Sequence, residues 1–437
     1  MINFIKRVLG VLRNMLSYVI FKFLKIIFFT LTYILVLYIK IRVPKNRKNV
    51  VFGSTPLINN SYWANSLKKN GFLAETFTYD FFSINNRSDW DRIISEEYRF
   101  MPTQLKPFIA FIDSLFKYDI FVISFDGFFI QHVFSAATQA KFLLGAKKKV
   151  IVIPYGGDSY IYGRIRSTPL AHGLLLSYPS SARRQAEISK NVDEWCRYAD
   201  TVIPGFMAPD GFGRWDLLVP SPLCLDLDSW STKNTYSSAD GISETVIVAH
   251  APNHRGFKGT EFVINAVENL QATGFKVELR LLEGLPNHEI KKILHDEVDI
   301  LVEQLICTGH GLNGLEGMAS GLPTISNLED EDYLLTLRRW SYFNECPLVS
   351  ASPESIEETL LKLITNPALR KELGVMGRQY VEKYHGLDSG TFMFENIFRS
   401  FEDKKVSLLN LYHPILGEYN KRLPIIVPPL IKNKLIV

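Results

Sequence analysis

ETVIVAHAPNHRGFKG (244–259) and VDILVEQLICTGHGLNGLEGMASGLPTIS (298–326) decide the fold. ETVIVAH is a short run rich in β-branched residues and predicts a strand. The loop APNHRGFKG follows it. A helix is expected from Thr260, because Val263, Ala266, Val267 and Leu270 then share one face, and it closes near Asn269 and Gly274. KVELRLLEG (276–284) predicts the next strand and LPNHEIKKIL the next helix. VDILVEQLIC (298–307) predicts a third strand, followed by a glycine-rich loop over 308–321 and a fourth strand, LPTIS (322–326). Strands alternating with helices imply a doubly wound parallel sheet covered on both faces.

The same texture runs through the first half. NVVFGS (49–54) reads as a strand ending in a Gly/Ser turn, followed by a helix from about Ser61 to Lys69. Further apolar runs lie at 72–78, 118–124, 149–154 and 201–205. The chain therefore divides into an anchor over 1–48, a first Rossmann-like domain over 49–235, a second over 236–402 and a tail over 403–437. Ligands of such sheets bind beyond the carboxyl ends of the strands. That singles out Gly53-Ser54, Ser124-Phe125-Asp126-Gly127 and Tyr155-Gly156-Gly157-Asp158. Each alone reads better as a turn with an Asx cap; three neighbouring ends together favour an acceptor cleft.

The second half carries the more specific chemistry. A diphosphate leaving group needs fixed cations and backbone N–H donors. Arg255 and Lys258 stand three apart in the strand-to-helix loop, where Gly256 and Gly259 let the backbone approach. Gly309, Gly311 and Gly314 precede a helix expected to begin near Leu315. Glu316, early in that helix, suits two ribose hydroxyls. Singly these are a solvated basic turn, a tight connection and a first-turn glutamate favoured by the helix dipole.

HAPNHRGFKGTEFVINAVENL, LEGLPN and the 298–326 stretch together resemble the donor half of glycosyltransferase family 4. ITNPALRKELGVMGRQYVEKYH, within 357–397, is similar to that family's closing helices. The likeness covers 245–397 and is weaker in the first half, where it rests on YGGD (155–158) and VDEWCRYADTVIPG (192–205). It implies a GT-B fold of two Rossmann-like domains facing a cleft, retention of anomeric configuration and no required metal or other cofactor. It also implies that Arg255 and Lys258 hold the donor diphosphate, and that Glu316, the second glutamate of an E-x7-E motif, grips the ribose. Gly309, His310, Gly311, Leu312 and Asn313 would serve phosphates and sugar, with Glu283 and Gly284 near the base. The chain departs from the family at Thr308, where the first glutamate of that motif is expected. A strand-end histidine has no match, Ser124 or Asp126 taking its place, and Tyr155 stands where a His-Gly pair is common. Asp126 and Asp158 are the candidate catalytic groups on that side, with His254 a further possibility.

Charge locates the chain in the cell. Of 49 Lys and Arg, ten lie in residues 1–48, which hold no acid; the first carboxylate is Glu75. Without those ten, 39 basic residues face 45 acidic ones, a net of −6. The acidic body argues against a nucleic-acid surface, and the basic leader favours anionic lipid. Stepped at about 100° per residue, 5–27 forms an amphipathic helix with Lys6, Arg7, Arg13, Lys22 and Lys25 on one side. The uncharged run 26–39 is short for a span of about 20 residues. An interfacial anchor is the preferred reading and a single span the second. A signal peptide is third, because basic residues stand where a small-residue cleavage site belongs. Either membrane reading puts the body on the cytoplasmic face of the membrane. Four widely spaced cysteines read as free thiols in a reducing compartment.

The expected function is transfer of a sugar from a nucleotide-diphosphate donor to a membrane-held, lipid-linked glycan acceptor. The alternatives are a catalytically impaired binding module, suggested by Thr308, and a nucleotide-sugar epimerase on the same fold.

Overall fold

The structure, a computed structural model, describes residues 22–41, 48–82, 85–205 and 209–436. Most of the 5–27 helical-wheel reading lies outside them. The first element among the described residues is α1 (Lys22–Ile41), which is long and apolar enough to cross a membrane. The first domain continues through β1 (Val50–Ser54), α2 (Ile58–Lys69), β2 (Ala74–Thr78), β3 (Arg92–Ile93), α3 (Ile94–Glu97), α4 (Lys106–Lys117) and β4 (Ile120–Ile123). It ends with α5 (Ala136–Gly145), β5 (Lys149–Val152), α6 (Thr168–Ser177), α7 (Pro179–Arg183), α8 (Gln185–Tyr198) and β6 (Thr201–Val202). Its six strands form a parallel sheet in the order β3-β2-β1-β4-β5-β6.

The second domain runs through β7 (Val246–His250), α9 (Arg255–Lys258), α10 (Thr260–Ala272), β8 (Val277–Leu281), α11 (Asn287–Asp296), β9 (Ile300–Thr308) and α12 (Leu312–Ala319). Then come β10 (Thr324–Asn327), α13 (Glu331–Trp340), β11 (Val349–Ser350), α14 (Ile356–Ile364), α15 (Pro367–Tyr384) and α16 (Leu387–Glu402). Its parallel sheet has the order β11-β10-β9-β7-β8. Two Rossmann-like domains on one chain are the α/β architecture the sequence implies.

Side chains alternate across each strand, and both faces of the first sheet are apolar. Val51, Phe121, Ile123, Val150 and Val152 point to the side of α4, α5 and α8. Phe52, Val122 and Ile151 point to the other, where α2 lies. α16 covers that second face although it follows the second domain in sequence. Phe394 packs on Phe52 and Trp63 at ring distances of 5.3 and 6.1 Å, and Thr391 donates to the Ser66 carbonyl at 2.8 Å.

The tail packs on the second domain through the antiparallel hairpin β12 (Leu430–Ile431) and β13 (Lys434–Leu435). Asn433 in its turn donates to the carbonyls of Cys346 and Leu348. All four cysteines are buried and free.

Two local expectations shift. The residues expected as a loop before Thr260 contain the short helix α9, separated from α10 by Gly259, whose φ of +74° breaks the run. α12 begins at Leu312 rather than near Leu315, so Glu316 is its fifth residue.

α1 docks by one stripe. Phe28, Thr32, Val36 and Ile39 are buried, at a spacing that keeps them on one face of the helix. The Phe28 ring lies 4.3 Å from Phe108 and 5.6 Å from Phe134, and Tyr38 meets Phe116 at the far end of α4. Phe23, Ile26, Ile27, Phe29, Ile34 and Ile41 stay exposed.

Candidate functional site

The three strand ends singled out in the first domain do come together, because β1, β4 and β5 are neighbours. Ser54 Oγ accepts the Phe129 amide at 3.3 Å, tying the first end to the second. Asp158, buried, accepts three backbone amides: Phe125 at 2.9 Å, and Tyr155 and Gly156 at 3.0 Å each. Burial and the neighbouring Asp126 push its carboxyl up to about 7, against the pull of those amides. Both Asp158 oxygens are thus engaged in holding two loops. Asp126 is half-buried at the cleft edge, and its Oδ2 accepts the Tyr155 hydroxyl at 2.6 Å. Ser124 is buried behind them.

Across the cleft, β9 delivers the glycine loop. Gly309 turns with φ of +92°, its N–H donating to Asn327 O and its carbonyl accepting from Gln304 Nε2 and Ser326 Oγ. Gly309 and His310 are buried, whereas Gly311, Leu312 and Asn313 are half-exposed at the head of α12. An α-helix leaves its first amides without intrahelical acceptors. The Gly311 amide just before them is taken by Glu303 Oε1 at 2.6 Å. Glu316 is buried, with Asn287 Nδ2 3.4 Å from one oxygen and Asn313 Nδ2 3.5 Å from the other. Burial raises its carboxyl to about 7; the amides of Asn313 and Asn287 and the charge of Lys291 oppose the rise.

The two cations expected to hold a diphosphate lie in different settings. Arg255 is exposed and pairs with Glu283 and Glu261, each at 2.9 Å, which brings the arginine expected at the phosphates to the loop expected near the base, where Gly284 turns with φ of +68°. Lys258 is buried: its Nζ donates to Gln304 Oε1 at 2.7 Å and lies 3.5 Å from Glu303. His254 is half-buried with its ring 4.5 Å from that of Tyr178.

A bridge from the first domain covers this segment. α6 packs across α9, the Ser177 hydroxyl accepts the Phe257 amide at 2.8 Å, and Phe257 joins Tyr160, Leu170, Leu174 and Cys307 in a small core. A Cβ on Gly173 of α6 would sit 2.6 Å from Ile306, so only glycine lets the helix approach β9 this closely.

Between the two sides lies a cavity of about 250 Å³, lined among others by Leu57, Trp63, Tyr155, Tyr160, His310 and Leu312. Glu303, Gln304, Asn287, Leu57 and Trp63 are site residues the sequence reading missed. Glu303 and Gln304 lie inside an apolar strand, Leu57 in the loop TPLINN and Trp63 within a helix, so none of them carries a motif. Among the described residues, no three His, Cys, Asp or Glu side chains are grouped to hold a metal ion.

No protein-family model and no curated protein sequence matches the chain. Solved structures do. HepE from Anabaena in complex with UDP is similar at 11% identity and a TM-score of 0.50, over 81% of this chain and 100% of that one. A glycosyltransferase from Rickettsia africae ESF-5 is similar at 13% identity and a TM-score of 0.46, over 82% and 100%. MnaA from S. aureus with UDP is similar at 11% and 0.45, over 82% and 97%. The fold is GT-B, two Rossmann-like domains facing a cleft.

Proposed function

We propose that the protein is a membrane-attached, retaining glycosyltransferase that moves a hexosyl group from a nucleotide-diphosphate sugar to a lipid-linked glycan. One observation carries this reading. The half-exposed head of α12 and the buried, amide-flanked carboxyl of Glu316 lie together in the second domain, and the cavity beside that helix head is closed by first-domain loops. Helix-terminal amides suit a diphosphate, and a carboxyl one turn further along suits ribose hydroxyls. HepE, of the same fold, is a complex with UDP. Retention follows from the resemblance of 245–397 to glycosyltransferase family 4, as does the absence of a required cofactor.

In this reading Arg255 stands at the rim, where a diphosphate displaces Glu283 and Glu261. Lys258 faces the same loop from beneath, neutralising Glu303. Asp126 is the carboxylate able to serve the acceptor hydroxyl, and Asp158 holds the loop that carries Tyr155. The exposed apolar faces of α1 and the basic residues before Glu75 support a position on the cytoplasmic surface of an anionic membrane, beside the acceptor.

The test is binding of a panel of nucleotide sugars to the full-length protein and to an Arg255→Ala/Glu316→Ala variant. Selective binding of one donor, lost in the variant, is the expected result. Failure of every nucleotide and nucleotide sugar to bind would refute it.

A further inference from the structure

The cavity beside Leu312 has a composition that bears on the donor. Its sixteen lining residues include no Asp, Glu, Lys or Arg. Several of its polar side chains already bond the backbone, although the Asn59 amide N–H groups and the Ser221 hydroxyl proton stay able to donate. Trp63 Nε1 donates to the Pro222 carbonyl at 2.9 Å, and Ser159 Oγ donates to the Gly156 carbonyl at 3.1 Å. Ser221 Oγ accepts the Leu223 amide at 3.4 Å, and Asn59 Oδ1 accepts the Cys224 amide at 3.1 Å. What remains to meet a ligand is largely carbon: the side chains of Leu57, Ile58, Leu223 and Leu312, the prolines Pro154 and Pro222, and the aromatic rings.

At about 250 Å³ the space suits one monosaccharide unit. Thirteen of the lining residues belong to the first domain, but His310, Gly311 and Leu312 belong to the loop that, under the proposed function, holds the donor diphosphate, so a sugar attached to that diphosphate reaches this space. A hexose with a hydroxyl on every carbon would lose hydrogen bonds to water there without full replacement. An apolar substituent would gain by leaving water. A lipid tail of the acceptor is the weaker occupant. α1 lies on the α4 and α5 side of the first sheet, whereas the cavity adjoins α2 on the other side.

We infer that the donor sugar carries a methyl-ended substituent, an N-acetyl group or a 6-deoxy carbon, and that this cavity selects it. The inference rests on the donor-site reading above.

Matched pairs test it, with full-length protein: UDP-N-acetylglucosamine against UDP-glucose, dTDP-6-deoxyglucose against dTDP-glucose, and GDP-6-deoxymannose against GDP-mannose. Free UDP, dTDP and GDP report on the nucleotide site alone. For the nucleotide that binds, the methyl-bearing sugar is expected to bind about tenfold tighter than its hydroxylated partner. Leu57→Asn, which puts an amide at the cavity wall, is expected to bring the two within about twofold of each other. Leu57 occupies the N-cap of α2 and makes no side-chain cap bond, a position that accepts asparagine, and a thermal melt alongside the unaltered protein checks that the variant is folded. Equal binding of both members, or tighter binding of the hydroxylated one, while the free nucleotide still binds, would overturn this inference and leave the transferase reading standing. Absence of binding by any nucleotide would overturn both.

Discussion

Glu303 Oε1 accepts the Gly311 amide at 2.6 Å and lies 3.5 Å from the ammonium of Lys258. A buried carboxylate thus joins the cation and the glycine loop assigned to the donor phosphates, and it places negative charge directly beneath them. Glu303→Ala would leave the buried Lys258 charge with Gln304 alone and the Gly311 amide without its acceptor. Chemical denaturation should show a loss on the order of 3–5 kcal/mol. Glu303→Gln keeps the shape and removes the charge. It should bind the preferred nucleoside diphosphate more tightly, by on the order of 1–2 kcal/mol. Weaker binding by the glutamine variant would mean that Glu303 assists the phosphates rather than opposing them.

Under the proposed function, Glu316 should make donor binding depend on pH. Burial holds its carboxyl at about 7, above the ordinary 4.5. The folded protein therefore keeps a proton there that the unfolded chain has released. That contribution to stability is complete below about pH 4.5 and is lost as pH rises through about 7, some 3 kcal/mol in all. Asp158, raised from 3.8 to about 7, acts in the same direction. Gripping ribose hydroxyls as an acceptor requires the ionised form. Donor affinity should then be roughly thirtyfold weaker at about pH 5.5 than at about pH 8. Titration calorimetry at both values, with Glu316→Gln as the pH-insensitive reference, decides it.

The two aspartates of the first domain should separate by assay. Asp126 is half-buried with its carboxylate at the cleft edge, so Asp126→Asn should lower kcat about a hundredfold or more while unfolding is unchanged. Asp158 accepts three amides inside the fold. Asp158→Ala should cost on the order of 2–4 kcal/mol in stability and blur the loop that carries Tyr155. A large stability loss for Asp126→Asn, with activity spared, would reverse the assignment.

What the sequence made legible was local. The strand–loop–helix alternation marks both sheets because each unit is written within about 30 residues, and the glycines at 309, 311 and 314 announce a backbone that must approach something closely. Glu303 was hidden because nearly every other residue of its strand is apolar. Its partners are a loop eight residues on and a lysine 45 residues back. α9 is four residues long, too short for any periodicity, and only the left-handed Gly259 defines it. α16 reads as one more closing helix of the second domain. Its docking on α2 joins residues more than 300 positions apart, Phe394 with Trp63 and Thr391 with Ser66, and amphipathicity alone does not name a partner.

The geometry of α1 predicts how the protein meets a membrane. Twenty residues make a helix about 30 Å long, enough to span. Yet Phe28 packs near the start of α4 and Tyr38 near its end, with Val36 against Gly145 of α5. A helix docked along its length cannot cross the bilayer without drawing α4 and α5 in with it, and Lys106, Lys117 and Lys141 on those helices would then enter hydrocarbon. α1 should therefore lie in the interface, its exposed face of Phe23, Ile26, Ile27, Ile34 and Ile41 in the acyl boundary and Lys22, Lys25 and Lys40 among headgroups. Flotation with vesicles containing anionic lipid should recover the full-length protein, and high salt should weaken the association. Deleting residues 1–41 should abolish flotation and lower solubility, since Phe108, Phe134 and Phe142 lose their cover. A tag at the amino terminus of protein bound to sealed vesicles distinguishes the two geometries. Protease added outside should remove it if the helix lies flat, and a protected tag would establish a span.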